Sequence, residues 1–139
     1  MTILGIDYGE KRIGISISDP KNVISLPQEP IISKGIKKDS FTISKLIKDK
    51  NIELVVLGLP LTLDGSYGFQ ARFTENFEKE LKKQTLKPII KFDERLTTKQ
   101  AKNESKNSKK ANSKIDSIAA SIMLQAYLDS NRMRNQKDD

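Results

Sequence analysis

Residues 1–18, MTILGIDYGEKRIGISIS, decide how the rest of the chain is read. Ile3, Leu4 and Ile6 form an apolar run, after which Ile13, Ile15 and Ile17 alternate with Gly14, Ser16 and Ser18. The first pattern is that of a buried strand; the second, with its period of two, is a strand with one face toward a core. The intervening DYGEKR is too short for a parallel crossover, so the two strands form an antiparallel hairpin. Gly9 is expected to supply the positive φ of its turn.

Moving outward, a third strand is expected within Val23–Ile32, broken by Pro27 and Pro30, which place it at a sheet edge or end it early. From Lys38 to Lys50 the period becomes helical, with Ile43, Leu46 and Ile47 on one face. ELVVLG (53–58) is a short unbroken apolar run ending near Pro60, as for a strand buried on both faces. LTLDGSYG (61–68) reads as a loop, and Phe69, Phe73, Phe77 and Leu81 step by four along a helix as core residues. PIIKF (88–92) is a strand, and Thr97-Thr98-Lys99-Gln100 is a capping box that opens a helix. KNESKNSKKANSK (102–114) holds five Lys and no large apolar side chain, so it is expected to be a mobile basic loop. A last helix is expected over 115–130, with Ile115, Ile118, Ala119, Ile122 and Ala126 inward, then a flexible tail at 131–139. The order predicts an α/β fold in one domain, 1–130: a mixed five-stranded sheet, an antiparallel first hairpin and then βαβα, flanked by helices.

Composition narrows the chemistry. The 139 residues include no Cys, His or Trp, and 25 Lys+Arg against 18 Asp+Glu give a net charge of +7. That excludes thiolate or imidazole zinc sites, histidine bases, Cys and Ser-His nucleophile systems, and disulfides. Any metal must be held by oxygen, and the basic excess favours an anionic partner. No stretch approaches the roughly 20 apolar residues of a membrane helix, and no secretory leader is evident at the N-terminus. The expectation is a cytoplasmic protein without membrane contact.

Acidic positions fall where such a sheet places functional groups: Asp7 ends the first strand, Asp64 follows the fourth, Asp93 and Glu94 end the fifth, and Asp116 opens the last helix. Convergent carboxylates repel, and Mg²⁺ or Mn²⁺ would relieve that repulsion. Such ions activate water for phosphodiester cleavage without histidine. Lysines of the 102–114 loop, Lys109 and Lys110 among them, would clamp a phosphate backbone. Ordinary roles are open as well. Asp7 suits a turn before Tyr8-Gly9, Asp64 a turn before Gly65, and Asp116 the end of a Ser113-x-x-Asp116 capping box. The lysines suit a solvated surface. Asp93 and Glu94 are adjacent on an extended segment, so only one of them reaches a common site.

The stretches GIDYGEKRIGISISD (5–19), VVLGLPLTLDGSYG (55–68), FDERLTT (92–98) and KIDSIAASIMLQAYLD (114–129) resemble the YqgF/RuvX family of RNase H-like proteins. The resemblance spans nearly the whole chain, in order. It implies an RNase H-like nuclease that matures the 5′ end of pre-16S rRNA, with Holliday-junction resolution as an alternative. Carried over by position, Asp7, Glu94 (in preference to Asp93) and Asp116 are the catalytic acids and ligands of Mg²⁺ or Mn²⁺, with Asp93 and Asp64 as further candidates. Lys11, Arg12 and Arg95 face substrate, and Gly9 and Gly65 let backbone approach it. Implied partners are pre-rRNA or branched DNA and the pre-ribosome, engaged by a monomer or weak dimer. Two other classes are compatible with the residues: a non-catalytic ribosome-assembly factor, and an actin-like ATPase suggested by Asp7-x-Gly9, which 139 residues are too few to complete.

Overall fold

The structure, a computed structural model, describes residues 1–61, 64–65, 68–94 and 115–137; for 115, 116 and 135–137 it describes the helical backbone alone. The hairpin is as expected: β1 (Thr2–Tyr8) runs antiparallel to β2 (Arg12–Ser18), with Ile6 opposite Ile15 and Asp7 opposite Gly14. Its turn differs in detail. Gly9 does not take a positive φ; space excludes a side chain there, since a Cβ would lie 2.5 Å from the Arg12 carbonyl oxygen.

The expected third strand is two short ones, β3 (Ser25–Pro27) and β4 (Ile31–Ile32), both antiparallel to β2, so the sheet has six strands rather than five. Pro27 and Pro30 withhold two amide donors within four residues, and the ladder cannot continue across them. After α1 (Ile36–Asp49), β5 (Ile52–Leu59) pairs parallel to β1; after α2 (Phe69–Gln84), β6 (Ile89–Asp93) pairs parallel to β5. The main path is β3-β2-β1-β5-β6, which brings the carboxyl ends of β1, β5 and β6 to one end of the sheet.

Strand alternation divides the core into two layers. Leu4, Ile6 and Tyr8 of β1 and Val55 and Leu57 of β5 meet Ile43 and Ile47 of α1 and Phe77 and Leu81 of α2. Ile3, Leu54 and Val56 face the other way, onto Met123, Leu124 and Leu128 of α3 (Ile115–Lys137). Phe69, expected in the core, is 70% exposed in the first turn of α2, stacked on Phe73. The helix begins there, past the edge of the apolar layer.

The buried face of α3 also departs from the apolar spacing. Ser117, Ala120, Ile122, Met123, Leu124 and Leu128 are buried, while Ile118, Ala119 and Ala126 are half-buried. The seam with β2 and β3 is a row of polar contacts that hydropathy does not register. Ile15 N donates to Ser117 Oγ (3.1 Å), Ser16 Oγ to the Ala120 carbonyl (3.0 Å), and Gln125 brackets β3, accepting from Ser25 N (2.9 Å) and donating to the Val23 carbonyl (2.8 Å). Residues 131–137, expected as a tail, continue the helix, which an Asp129–Arg132 ion pair at i,i+3 supports.

Candidate active site

Asp7 is the penultimate residue of β1 and shares a face with Ile3, so its side chain lies on the α3 side of the sheet. Glu94 directly follows β6. Phe92, two residues earlier, packs on the α3 side against Tyr127, and alternation places Glu94 there too. Asp93 has the other parity. It shares that parity with Ile89, in the α1–α2 layer, and with Lys91, which pairs with Glu75 and Glu78 of α2 at 3.6 Å each.

The structure brings Asp7 and Glu94 into direct hydrogen bonding. Burial, then the Asp7 charge and that hydrogen bond, then the Asp93 charge push the Glu94 carboxyl up to about 9. Glu94 is therefore protonated at neutral pH and donates its O–H to Asp7.

Gly58 makes room for the pair. A Cβ on Gly58 would overlap the Glu94 carboxyl, with Glu94 Cδ and Met123 Sδ each 2.8 Å away. Gly58 stands opposite Phe92 in the β5–β6 register, one step before Glu94 on the same face. In sequence it looks like a flaw in an apolar run; its function as a notch shows only once β6 is laid beside β5.

Asp116 lies in the first turn of α3, one residue before Ser117, whose hydroxyl accepts from Ile15 N. Ile15 neighbours Gly14, the partner of Asp7, so the backbone at 116 comes to the same end of the sheet; its side chain is outside the described set. Arg95, Lys109, Lys110, the helix expected from Thr97 and the 102–114 loop lie outside it altogether. Asp64 and Gly65 form the turn after β5, with Asp64 exposed and Gly65 at φ 87°. Among the described residues, the charges that raise the Glu94 carboxyl are those of Asp7 and Asp93. Lys11 and Arg12 are exposed at the β1–β2 turn, and the Lys11 carbonyl accepts from Ser33 N (2.9 Å).

Beneath that turn is an anchor that no motif signals. Tyr8, adjacent to Asp7, stacks on Phe77 at 4.1 Å, and its hydroxyl donates to buried Asp39 at 2.7 Å. Asp39 also accepts from Ser33 Oγ (2.5 Å) and Lys34 N (2.8 Å). Burial, then the bond to Asp39, push the Tyr8 phenol far above its ordinary range.

Among the described residues no group of three or more Asp, Glu, His or Cys is gathered as a metal cage. The pair that is described still fits a hard divalent cation. Its donors are all oxygen, two carboxyls share one proton, and a cation would replace that proton while cancelling the repulsion that keeps it there.

A family model described as RuvX, Holliday junction resolvase, matches residues 1–130. The chain belongs to this family. RuvX-type relatives include a protein of Syntrophomonas wolfei, 39% identical over 96% of this chain and 97% of its own, and one of Halothermothrix orenii, 39% identical over 93% and 95%. Both are provisionally named pre-16S rRNA nucleases. The RuvX fold is that of Thermus thermophilus RuvC solved with a Holliday junction, at TM-score 0.64 and 12% identity over 96% of both chains. Fowlpox virus resolvase with junction DNA superposes at TM-score 0.59 and 18% identity, over 94% of this chain and 99% of that one. At these identities the likeness is one of fold: the mixed sheet flanked by helices is the same architecture.

Proposed function

We propose that this RuvX-family chain is a divalent-metal-dependent nuclease that hydrolyses phosphodiester bonds of RNA, processing the 5′ end of pre-16S rRNA in the cytoplasm. One observation carries the reading: two carboxyls, Asp7 and Glu94, are held together on the α3 face at the carboxyl ends of β1 and β6, in a chain of net charge +7. Such a pair is costly unless a positive ligand or a reacting centre uses it. The names of the full-length relatives support the RNA substrate.

Asp7, Glu94 and Asp116 would hold Mg²⁺ or Mn²⁺, which supplies the Lewis acidity that makes water a nucleophile and steadies the leaving oxygen. The protein's own part is positional. The Gly58 notch sets Glu94 against Asp7, and the Tyr8–Asp39 anchor fixes the end of β1. Lys11 and Arg12 at the adjacent turn, with Arg95, Lys109 and Lys110, are assigned to the phosphate backbone.

The test is cleavage of an end-labelled 16S precursor with its 5′ leader, comparing wild type with Asp7→Asn and Glu94→Gln in Mg²⁺, Mn²⁺ and EDTA. Metal-dependent cleavage that disappears in both variants is the expected result. A four-way DNA junction runs alongside, because the family description names that substrate. Symmetric junction cutting by a dimer, with the RNA left intact, would favour the resolvase reading. Binding of both without cutting would favour an assembly factor.

A further inference from the structure

Helix α1 carries Lys37, Lys38, Lys45 and Lys48, all exposed, with Lys34 exposed just before its first residue. At 3.6 residues per turn Lys37, Phe41, Lys45 and Lys48 fall within a sector of about 80° and span about 16 Å of helix. Phe41 lies in the middle of this stripe, 56% exposed, with Lys45 Nζ 5.7 Å from its ring centre. The opposite side of the helix, Asp39, Ser40, Ile43, Ser44 and Ile47, is buried.

The stripe differs from an ordinary solvated face in its charge balance. Solvated helix surfaces mix the two signs at i,i+3 and i,i+4. Helix α2 does so: Lys82 pairs with Glu78 and Lys83 with Glu80. On α1, Asp39 is buried and committed to Tyr8, Ser33 and the Lys34 amide, leaving Asp49 in the last turn as the exposed acid. Among the described residues no ion pair engages Lys37, Lys38, Lys45 or Lys48. An exposed aromatic among uncompensated lysines matches a single-stranded nucleic acid, whose phosphates take the charges and whose bases stack on the ring.

Placement gives the stripe a direction. Helix α1 lies with α2 on the face of the sheet opposite α3, so it does not overlook the Asp7–Glu94 pair. Its N-terminus, however, is tied to the end of β1 that carries the pair: Tyr8 bonds Asp39, Ser33 N bonds the Lys11 carbonyl, and Ile32 of β4 pairs with Arg12. Lys11, Lys34, Lys37, Phe41, Lys45 and Lys48 thus form a track that starts at the site's rim and runs round to the opposite layer.

We propose that the outer face of α1 is a second nucleic-acid contact surface, which holds the single-stranded RNA flank leaving the acid pair through Lys37, Lys38, Lys45 and Lys48 and stacks one base on Phe41. The ligand class rests on the nuclease reading; the surface itself rests on the charge balance and exposure of α1.

The test measures binding of a labelled single-stranded RNA in EDTA against salt concentration. Changing the four lysines to Gln should make the slope of log affinity against log salt less negative by about 2–3, at about 0.7 for each phosphate no longer neutralised. Phe41→Ala should weaken binding about tenfold with little change in slope. Lys82→Gln with Lys83→Gln, whose side chains are already paired, should change neither. All these positions are exposed, so circular dichroism should show unaltered folding. An unchanged slope in the four-lysine variant overturns the proposal. Unchanged RNA affinity together with failure to be retained on pre-ribosomal particles also overturns it, in favour of an acidic protein partner. If the four-lysine variant loses RNA while wild type cuts nothing, the nuclease reading fails and this surface stands.

Discussion

Asp7→Asn should leave the metal-free protein more stable at about pH 8, although it replaces a charged partner of a buried hydrogen bond by a neutral one. The sign follows from linkage. Glu94 is raised to about 9 in the folded chain, against 4.5 ordinarily, so between those values the folded state holds a proton that the unfolded state has released. Stability must then fall as pH rises through that window, by up to about 1.36 kcal/mol per unit. From about pH 5 to 8 the ceiling is about 4 kcal/mol, and an effective dielectric near 20 with some water access reduces it to about 2. Asp7→Asn removes the neighbouring charge but keeps a hydrogen-bonding partner and the burial of Glu94, so about half of that penalty should disappear. For a chain of 139 residues, 1 kcal/mol corresponds to about 3–5 °C in Tm. The assay is thermal unfolding at about pH 5, 6.5 and 8 in EDTA, repeated with about 10 mM Mg²⁺. Wild type should lose Tm with rising pH and recover it with Mg²⁺; the variant should lose about half as much and gain nothing from Mg²⁺. A variant less stable than wild type at pH 8 in EDTA, or an equal Mg²⁺ gain in both proteins, would refute the account of the pair.

Gly58→Ala should abolish metal-dependent cleavage, because the new methyl takes the place of the Glu94 carboxyl, and should cost about 1–3 kcal/mol by urea unfolding from overpacking against Met123. Tyr8→Phe leaves the stack on Phe77 but takes one donor from buried Asp39, so urea unfolding should show a loss of about 1–3 kcal/mol. Asp19 accepts from the amides of Ile24 and Val23, and the Ile24 bond first of all holds its carboxyl below the ordinary range. A depressed carboxyl stabilises above its unfolded value and loses that contribution as pH falls through its folded one, so the protection factors of the Val23 and Ile24 amides against exchange should fall selectively in acid. A uniform fall in protection across the hairpin would contradict this.

The elements whose periodicity reflects burial are legible in the sequence. β2 and β5 each have a wholly apolar face and β1 a run of buried Ile3, Leu4 and Ile6, and an alternation or an unbroken run has one reading there. The misreadings share a physical cause. The inward face of α3 is set by Ser117, Ala120 and Gln125, whose partners are the Ile15 and Ser25 amides, the Ser16 hydroxyl and the Val23 carbonyl, 100 to 104 positions away; a hydropathy pattern carries no information about them. Phe69 is apolar without being buried because its helix begins beyond the layer it would have joined. Gly9 suggests a torsion that other residues avoid, whereas the structure uses its lack of a Cβ.

The site divides along the same line. Sequence order brings Asp7 and the Asp93-Glu94 dipeptide to strand ends, and strand parity allows just one of the adjacent acids onto the face of Asp7. Which of the two it is depends on which face β6 turns toward α3, and the Phe92–Tyr127 contact answers that question in favour of Glu94. The residues that hold the pair in place carry no acid and match no chemical motif. Gly58 acts by an absence, and Tyr8 acts from the opposite face of β1, through an aspartate 31 positions away. A candidate acid can be listed from its type and position in the chain, but the geometry that raises Glu94 comes from neighbours selected by shape. Substitutions at Gly58 and Asp39 should therefore damage function more than their ordinary appearance in the sequence implies.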